Sequence, residues 1–230
     1  MTPKDRLIVA LDVASADEAR RLVERLDGAA GMLKVGNQLF TAAGPEFVRE
    51  LVGRGEKVFL DLKYHDIPNT VAHAVSAACQ LGVSLLDVHA LGGRAMLEAG
   101  VAVLPAIGTR LLAVTILTSH DDESLQAIGL PGGVPDSVRR LARLAQQARV
   151  DGVVASPHEV ALIREACGRD LLIVTPGIRP AGAARDDQAR AATPAAALAA
   201  GADYIVVGRP VSEAPDPGRA ARGIVRELEA

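Results

Sequence analysis

The chain has 230 residues, 49% of them hydrophobic and 23% charged. These proportions allow a sizeable core and exclude a disordered chain. A formal net charge of -3, with no Trp, two Tyr and three Phe, supplies neither the basic footprint nor the aromatic platforms of a nucleic-acid binder. No apolar run approaches the roughly 20 residues that span a bilayer, so no membrane association is expected. Met1-Thr2-Pro3-Lys4-Asp5-Arg6 lacks the apolar stretch of a secretory signal, and the expected location is cytoplasmic. Cys79 and Cys167 are far apart and belong to no C-x-x-C pair. They read as buried thiols rather than zinc ligands or a redox dithiol.

Short apolar runs alternate with helical patterns from end to end. A first strand is expected over Leu7–Leu11, and Ser15 before Ala16-Asp17-Glu18 fits a capping box that opens a helix over Ala16–Leu26. A strand over Met32–Val35 then leads to a helix over Glu46–Arg54, and a strand over Val58–Leu60 to a helix over Val71–Leu81. Strands follow over Leu85–Val88 and Leu111–Thr115, with a helix over Pro135–Arg149 behind them. The remaining strands are expected over Gly152–Ala155, Leu171–Thr175 and Tyr204–Val207, separated by helices over His158–Cys167 and Pro194–Ala200. Gly82, Gly168 and Gly201 stand where helices stop.

The eight strands are continuously apolar, as strands buried on both faces are. Eight such βα units predict a single (β/α)8 TIM barrel over residues 1–230. A doubly wound sheet is the competing arrangement. Its dinucleotide fingerprint is missing from the first turn, Leu11-Asp12-Val13-Ala14-Ser15, so NAD is not expected.

In such barrels the polar residues at the C-terminal ends of the strands are the candidates for chemistry. Asp12 ends the first strand, Lys34 the second, Asp61 and Lys63 the third, with Asp66 in the turn beyond; Asp87 and His89 end the fourth, and Thr115 and Thr118 follow the fifth. Lys34 lies among Met32, Leu33 and Val35 and needs a carboxylate partner in an apolar mouth, with Asp12 and Asp61 as candidates. Asp61 and Lys63 alternate in phase, which aims both side chains to one side. Such packing of charges is costly unless each has a role, although a solvated salt bridge is the plain alternative. Asp87 and His89 are expected to satisfy each other beneath the site, and His65 and His73 to orient loops. No metal site is expected, because the carboxylates are needed by the lysines.

A second constellation concerns anions. The eighth strand runs into Val207-Gly208-Arg209-Pro210, and the seventh into Pro176-Gly177-Ile178-Arg179. Barrels commonly bind phosphate at these two loops. Gly208 permits close backbone approach, Arg209 can bind bidentately and Pro210 fits a first helical position. The longest polar segment, residues 177–193, contains Gln188.

The run Asp61-Leu62-Lys63-Tyr64-His65-Asp66-Ile67-Pro68-Asn69-Thr70 closely resembles the signature of the orotidine 5'-phosphate decarboxylase family. Similar features recur in the family's order at Leu11-Asp12, Leu33-Lys34-Val35-Gly36, Leu117-Thr118-Ser119, Thr175-Pro176-Gly177-Ile178-Arg179-Pro180, Asp187-Gln188 and Val207-Gly208-Arg209-Pro210. The resemblance implies a cofactor-free decarboxylation of orotidine 5'-monophosphate to UMP by a homodimer with shared active sites. It implies that Lys63, Asp61, Asp66 and Lys34 are catalytic, with Asp66 and Thr70 reaching the partner's site. Asp12 and Lys34 would touch the ribose, Thr118 and Gln188 the pyrimidine, and Arg179, Gln188, Gly208 and Arg209 the phosphate beneath a lid. Ala181-Gly182-Ala183-Ala184-Arg185 departs mildly from the family pattern. Two other readings stand beside it: a related metal-dependent sugar-phosphate decarboxylase or aldolase of the same barrel type, and a silent barrel that senses a nucleotide.

Overall fold

The structure is a computed structural model, and it describes residues 1–180 and 192–229. Eight parallel strands close into a barrel in sequence order: β1 (Leu7–Ala10), β2 (Met32–Gly36), β3 (Val58–Tyr64), β4 (Leu85–His89), β5 (Arg110–Val114), β6 (Gly152–Val154), β7 (Leu172–Thr175) and β8 (Tyr204–Val207), which pairs back onto β1. This is the expected (β/α)8 architecture. Around it lie α1 (Ala16–Leu26), α2 (Asn37–Gly53), α3 (Pro68–Cys79), α4 (Gly93–Ala102), α5 (Asp122–Ala127), α6 (Gly133–Gln147), α7 (Val160–Cys167), α8 (Pro194–Ala200), α9 (Arg209–Ser212) and α10 (Pro217–Glu227).

The strands are apolar on both faces because each face meets a different core. Ile8, Ala10, Met32, Phe59, Leu85, Leu112, Val114, Val154, Val174 and Val206 fill the barrel interior. The alternate residues, such as Leu7, Val9, Leu33, Val58, Leu60 and Leu86, pack outward against the helices. Period-two alternation therefore persists although no polar residue marks it.

The helices differ from expectation mainly at their starts. Helix α2 begins nine residues before the expected Glu46, because two helical segments are joined at Gly44, whose φ of 69° breaks the first and lets Pro45 open the second. Helix α4 was not expected, since its glycines at both ends obscure the periodicity, and α5 and α10 also lie outside the expected set, whereas α9 follows the helix start expected at Pro210. Ser15 caps α1 by accepting from the Glu18 N–H, but Glu18 reaches back to the Ala14 N–H rather than to Ser15. Cys167 is buried as expected, whereas Cys79 is only partly buried; both thiols are free. Among the described residues no helix is long and apolar enough to cross a membrane.

Carboxylates at the N-terminal ends of strands complete the barrel's hydrogen bonding. Asp151, just before β6, accepts from the Leu111 N–H at 2.8 Å, and Asp203, just before β8, accepts from the Ile173 N–H at 2.8 Å. Arg164 of α7 ion-pairs with Asp203 at 2.6 Å and binds the carbonyls of Gly201 and Leu171. Polar residues at this face thus hold the frame together and leave the other face for chemistry.

Candidate active site

Continuing each strand's inward positions toward its C-terminal end replaces apolar residues with charged ones. Ala10 is followed by Asp12, Met32 by Lys34, Phe59 by Asp61, and Leu85 by Asp87. The register aligns Ala10 with Lys34, Lys34 with Phe59, and Gly36 with Asp61. A ring of ionisable side chains therefore sits one layer above the apolar interior.

These groups form a continuous chain. The Lys34 ammonium lies 3.0 Å from Asp12 Oδ1 and 3.2 Å from Asp61 Oδ2, and Lys63 bonds to the other Asp61 oxygen, Oδ1. The side chains of Lys34 and Asp61 are 11% and 12% exposed, against 28% for Lys63 and 55% for Asp12, so the chain runs from the interior to the mouth. Both partners that the sequence suggested for Lys34 are in place. Gly36 makes room for it, since a Cβ there would stand 3.0 Å from the Lys34 ammonium and 3.5 Å from Asp12.

The electrostatics favour the charged forms of the two buried members of this chain, Lys34 and Asp61. Burial alone pushes the Asp61 carboxyl up, but the Lys34 charge, the neighbouring Asp87 carboxyl and the charge and hydrogen bond of Lys63 hold it at about 2. Burial likewise opposes the charge on Lys34, and Asp61 and Asp12 more than offset it, raising its pKa. Two lysines and two carboxylates stabilise one another at the edge of a low-dielectric cavity.

Lys63 reaches Asp61 by a route that simple alternation does not describe. Its φ is 51°, in the left-handed region, and the pairing of β3 with β4 slips so that Leu60 faces Leu86 while Tyr64 faces Val88. Two more residues lie between these pairs on β3 than on β4, a bulge of the kind that re-aims side chains next to functional centres. Asp87 accepts from the Lys63 N–H at 2.8 Å inside this bulge. The expected Asp87–His89 pair does not form: Asp87 Oδ2 and His89 Nδ1 each lack a hydrogen-bond partner among the described residues, and the His89 ring lies instead 5.6 Å from that of His65. Sequence alone undervalued Asp87; the signal was a carboxylate inside the apolar run Leu85-Leu86-Asp87-Val88, which requires a donor nearby.

Two adjoining cavities open at this face. One is bounded by Lys34, Asp61, Lys63 and Thr118 on its polar side and by Phe59, Val114, Ile116, Val154 and Val206 on its apolar side. The other shares Lys34 and Asp61 and extends past Asp12 to Arg179, Gly208, Arg209 and Glu213. Glu213 was not foreseen, because it lies on the turn after α9. Arg179 is buried, donating from Nη1 to the Ile178 carbonyl at 3.1 Å, while its Nε has no partner among the described residues. Its N–H also binds the Ala192 carbonyl at 2.9 Å, which draws together the two ends of the segment between them. Gln188 falls within 181–191 and lies outside the described residues. Asp66 and Thr70 stand apart from both cavities, on a run from His65 to Thr70 that is exposed throughout.

Comparison with known proteins places this geometry in context. Residues 5–224 match the profile of the "Orotidine 5'-phosphate decarboxylase / HUMPS family". The orotidine 5'-phosphate decarboxylase of Halorhodospira halophila is 58% identical over 227 residues, covering 98% of this chain and 96% of that protein. That of Moorella thermoacetica is 53% identical over 237 residues, covering 100% and 94%. The crystal structure of orotidine 5'-phosphate decarboxylase from Lactobacillus acidophilus superimposes with a TM-score of 0.87 at 40% identity, covering 97% of this chain and 99% of that one.

Proposed function

The chain belongs to the orotidine 5'-phosphate decarboxylase / HUMPS family, and we propose from this premise that it converts orotidine 5'-monophosphate to UMP and carbon dioxide in pyrimidine biosynthesis, without a cofactor. The observation that carries the proposal is the Lys34–Asp61–Lys63 chain, with its outer ammonium at the rim of a largely apolar cavity.

Loss of the C6 carboxylate leaves an electron pair in the plane of the pyrimidine ring, where the ring's π system cannot delocalise it. Only a positive charge in that plane stabilises it. Lys63 supplies the charge and then gives a proton to C6, so that the C6–carboxylate bond breaks, carbon dioxide leaves and a C6–H bond forms. Asp61 keeps Lys63 charged and oriented, and Lys34 keeps Asp61 ionised. The ring rests against the wall of Phe59, Val114, Ile116, Val154 and Val206, with Thr118 at its polar edge. Asp12 and Lys34 take the ribose hydroxyls, and Arg179, Gly208, Arg209 and Gln188 take the phosphate. Binding energy from the remote phosphate then assembles and dries the site.

The proposal includes a homodimer in which Asp66 and Thr70 serve the neighbouring site. Their exposure, and their absence from their own chain's cavities, support this. The sugar-phosphate alternative needs carboxylates free to bind a divalent metal, whereas both Asp61 oxygens and Asp12 Oδ1 are engaged by lysine ammoniums. Orotidine 5'-monophosphate with purified protein in excess chelator should lose its orotate absorbance as UMP accumulates. A flat trace would overturn the proposal, and activity restored only by added metal would favour the alternative.

A further inference from the structure

Asp87 is fully buried and takes part in no ion pair among the described residues, although two lysines and two carboxylates are paired beside it. One of its oxygens accepts the Lys63 N–H at 2.8 Å, while the other finds no donor. That second oxygen does have a neighbour: Asp61 and Asp87 each follow the paired Leu60 and Leu86 and each lie two residues beyond the interior Phe59 and Leu85, which sets the two carboxyls side by side on adjacent strands. Two carboxylates can share a hydrogen bond only if one of them carries the proton. Asp61 is held ionised by Lys34 and Lys63, so the proton belongs to Asp87. An ionised Asp87 would bring a third negative charge against two ammoniums.

We infer that Asp87 is a positioning residue, a neutral carboxylic acid whose one oxygen pins the Lys63 backbone in the bulge while its hydroxyl donates to Asp61. It thereby couples the backbone that aims Lys63 to the carboxylate that pairs with it. Burial, followed by the charge of Asp61 and the hydrogen bond with it, pushes the Asp87 carboxyl well above the usual carboxylate range, in keeping with this arrangement. The groups facing it are Asp61, Lys63 and Tyr64 of β3 and His89 of β4, with His65 beyond His89; its β5 neighbour is the apolar Leu112.

The effect on turnover rests on the decarboxylase reading, but the protonation state does not. An asparagine retains an acceptor for the Lys63 N–H and a donor for Asp61, whereas a valine retains neither. Asp87→Asn should keep kcat within about threefold of wild type with the same pH profile, and Asp87→Val should lose about 10²-fold in kcat with a smaller change in KM. Should the valine variant fail to fold, the asparagine variant still decides the matter.

Stability supplies a readout independent of activity. Unfolded, Asp87 ionises near 3.8; folded, it keeps its proton to higher pH. The folded state then binds more protons than the unfolded state above that pH, so wild type loses stability as pH rises toward the folded pKa. The Tm advantage of Asp87→Asn over wild type should therefore grow between about pH 4 and about pH 7. A constant or shrinking advantage, or an asparagine variant as impaired in kcat as the valine one, overturns the inference. A wild type that leaves orotidine 5'-monophosphate unchanged overturns the decarboxylase reading alone, since the stability comparison still reports on Asp87.

Discussion

Lys63 combines two demands that ordinarily conflict, a specific side chain and a left-handed backbone. A non-glycine residue at φ of 51° costs on the order of 1–2 kcal/mol relative to its usual conformations, and glycine is the residue that escapes this cost. Glycine has no ammonium to meet Asp61, and the proposed mechanism needs that ammonium at the substrate. The structure offsets the strain locally with the Asp87 hydrogen bond to the Lys63 N–H. Comparing Lys63→Ala with Lys63→Gly isolates the backbone term, since both lack the ammonium. The glycine variant should be more stable than the alanine variant by about 1 kcal/mol in urea unfolding, the reverse of their usual order in a strand. Both should lose UMP formation by about four orders of magnitude or more. Equal stability of the two would show that the bulge relaxes when the side chain is removed.

The elements explain why some of the site was legible in the sequence and some was not. Asp12, Lys34 and Asp61 each lie two residues beyond an interior apolar position, so strand alternation alone carries them to the barrel mouth together. Lys63 meets Asp61 for a different reason than alternation supplies, because β3 slips against β4 before reaching it. A slipped register leaves no trace in composition or periodicity. The partner of Asp87 is hidden for the same reason: its donor is the Lys63 N–H, which lies within that slip. The helices that escaped notice, α4 and α10 among them, have glycines within or at their ends that blur a 3.6-residue pattern. Glycine also sets a limit within the barrel wall. A Cβ on Gly152 of β6 would stand 2.6 Å from both the Leu172 Cβ and the Leu172 carbonyl oxygen, and 2.9 Å from Leu112. Backbone on the neighbouring strand cannot yield as a flexible side chain does. Gly152→Ala should cost about 1–3 kcal/mol by thermal or urea unfolding, with Asp151 drawn away from the Leu111 N–H that it now satisfies. A neutral result would mean that β6 and β7 can separate without disturbing the barrel.

At the scale of the whole molecule, the chain gathers Lys34 and Lys63 at the barrel mouth but presents Asp66 outward. Among the described residues the Asp66 carboxylate accepts only its own neighbour's N–H, that of Ile67, at 2.6 Å, and Ile67 itself is 66% exposed. An exposed apolar side chain beside an unpaired carboxylate, on the loop that leaves the catalytic strand, suits a surface covered by a second copy. In the proposed two-fold dimer the same loop would meet its counterpart's site on both sides, and Asp66 would enter the neighbour's charge chain and add a carboxylate against Lys63. The consequence can be separated from ordinary loss of function by mixing subunits. Lys63→Ala and Asp66→Ala proteins should each be nearly inactive alone. After subunit exchange at equal concentrations about half the dimers are mixed, and each of these has one site with Lys63 from one chain and Asp66 from the other. Activity should rise to about a quarter of the wild-type level. If exchange is verified by differently tagged chains and activity stays at the level of the separate variants, Asp66 acts within its own chain and the loop from His65 to Thr70 must fold back over its own cavity when substrate binds.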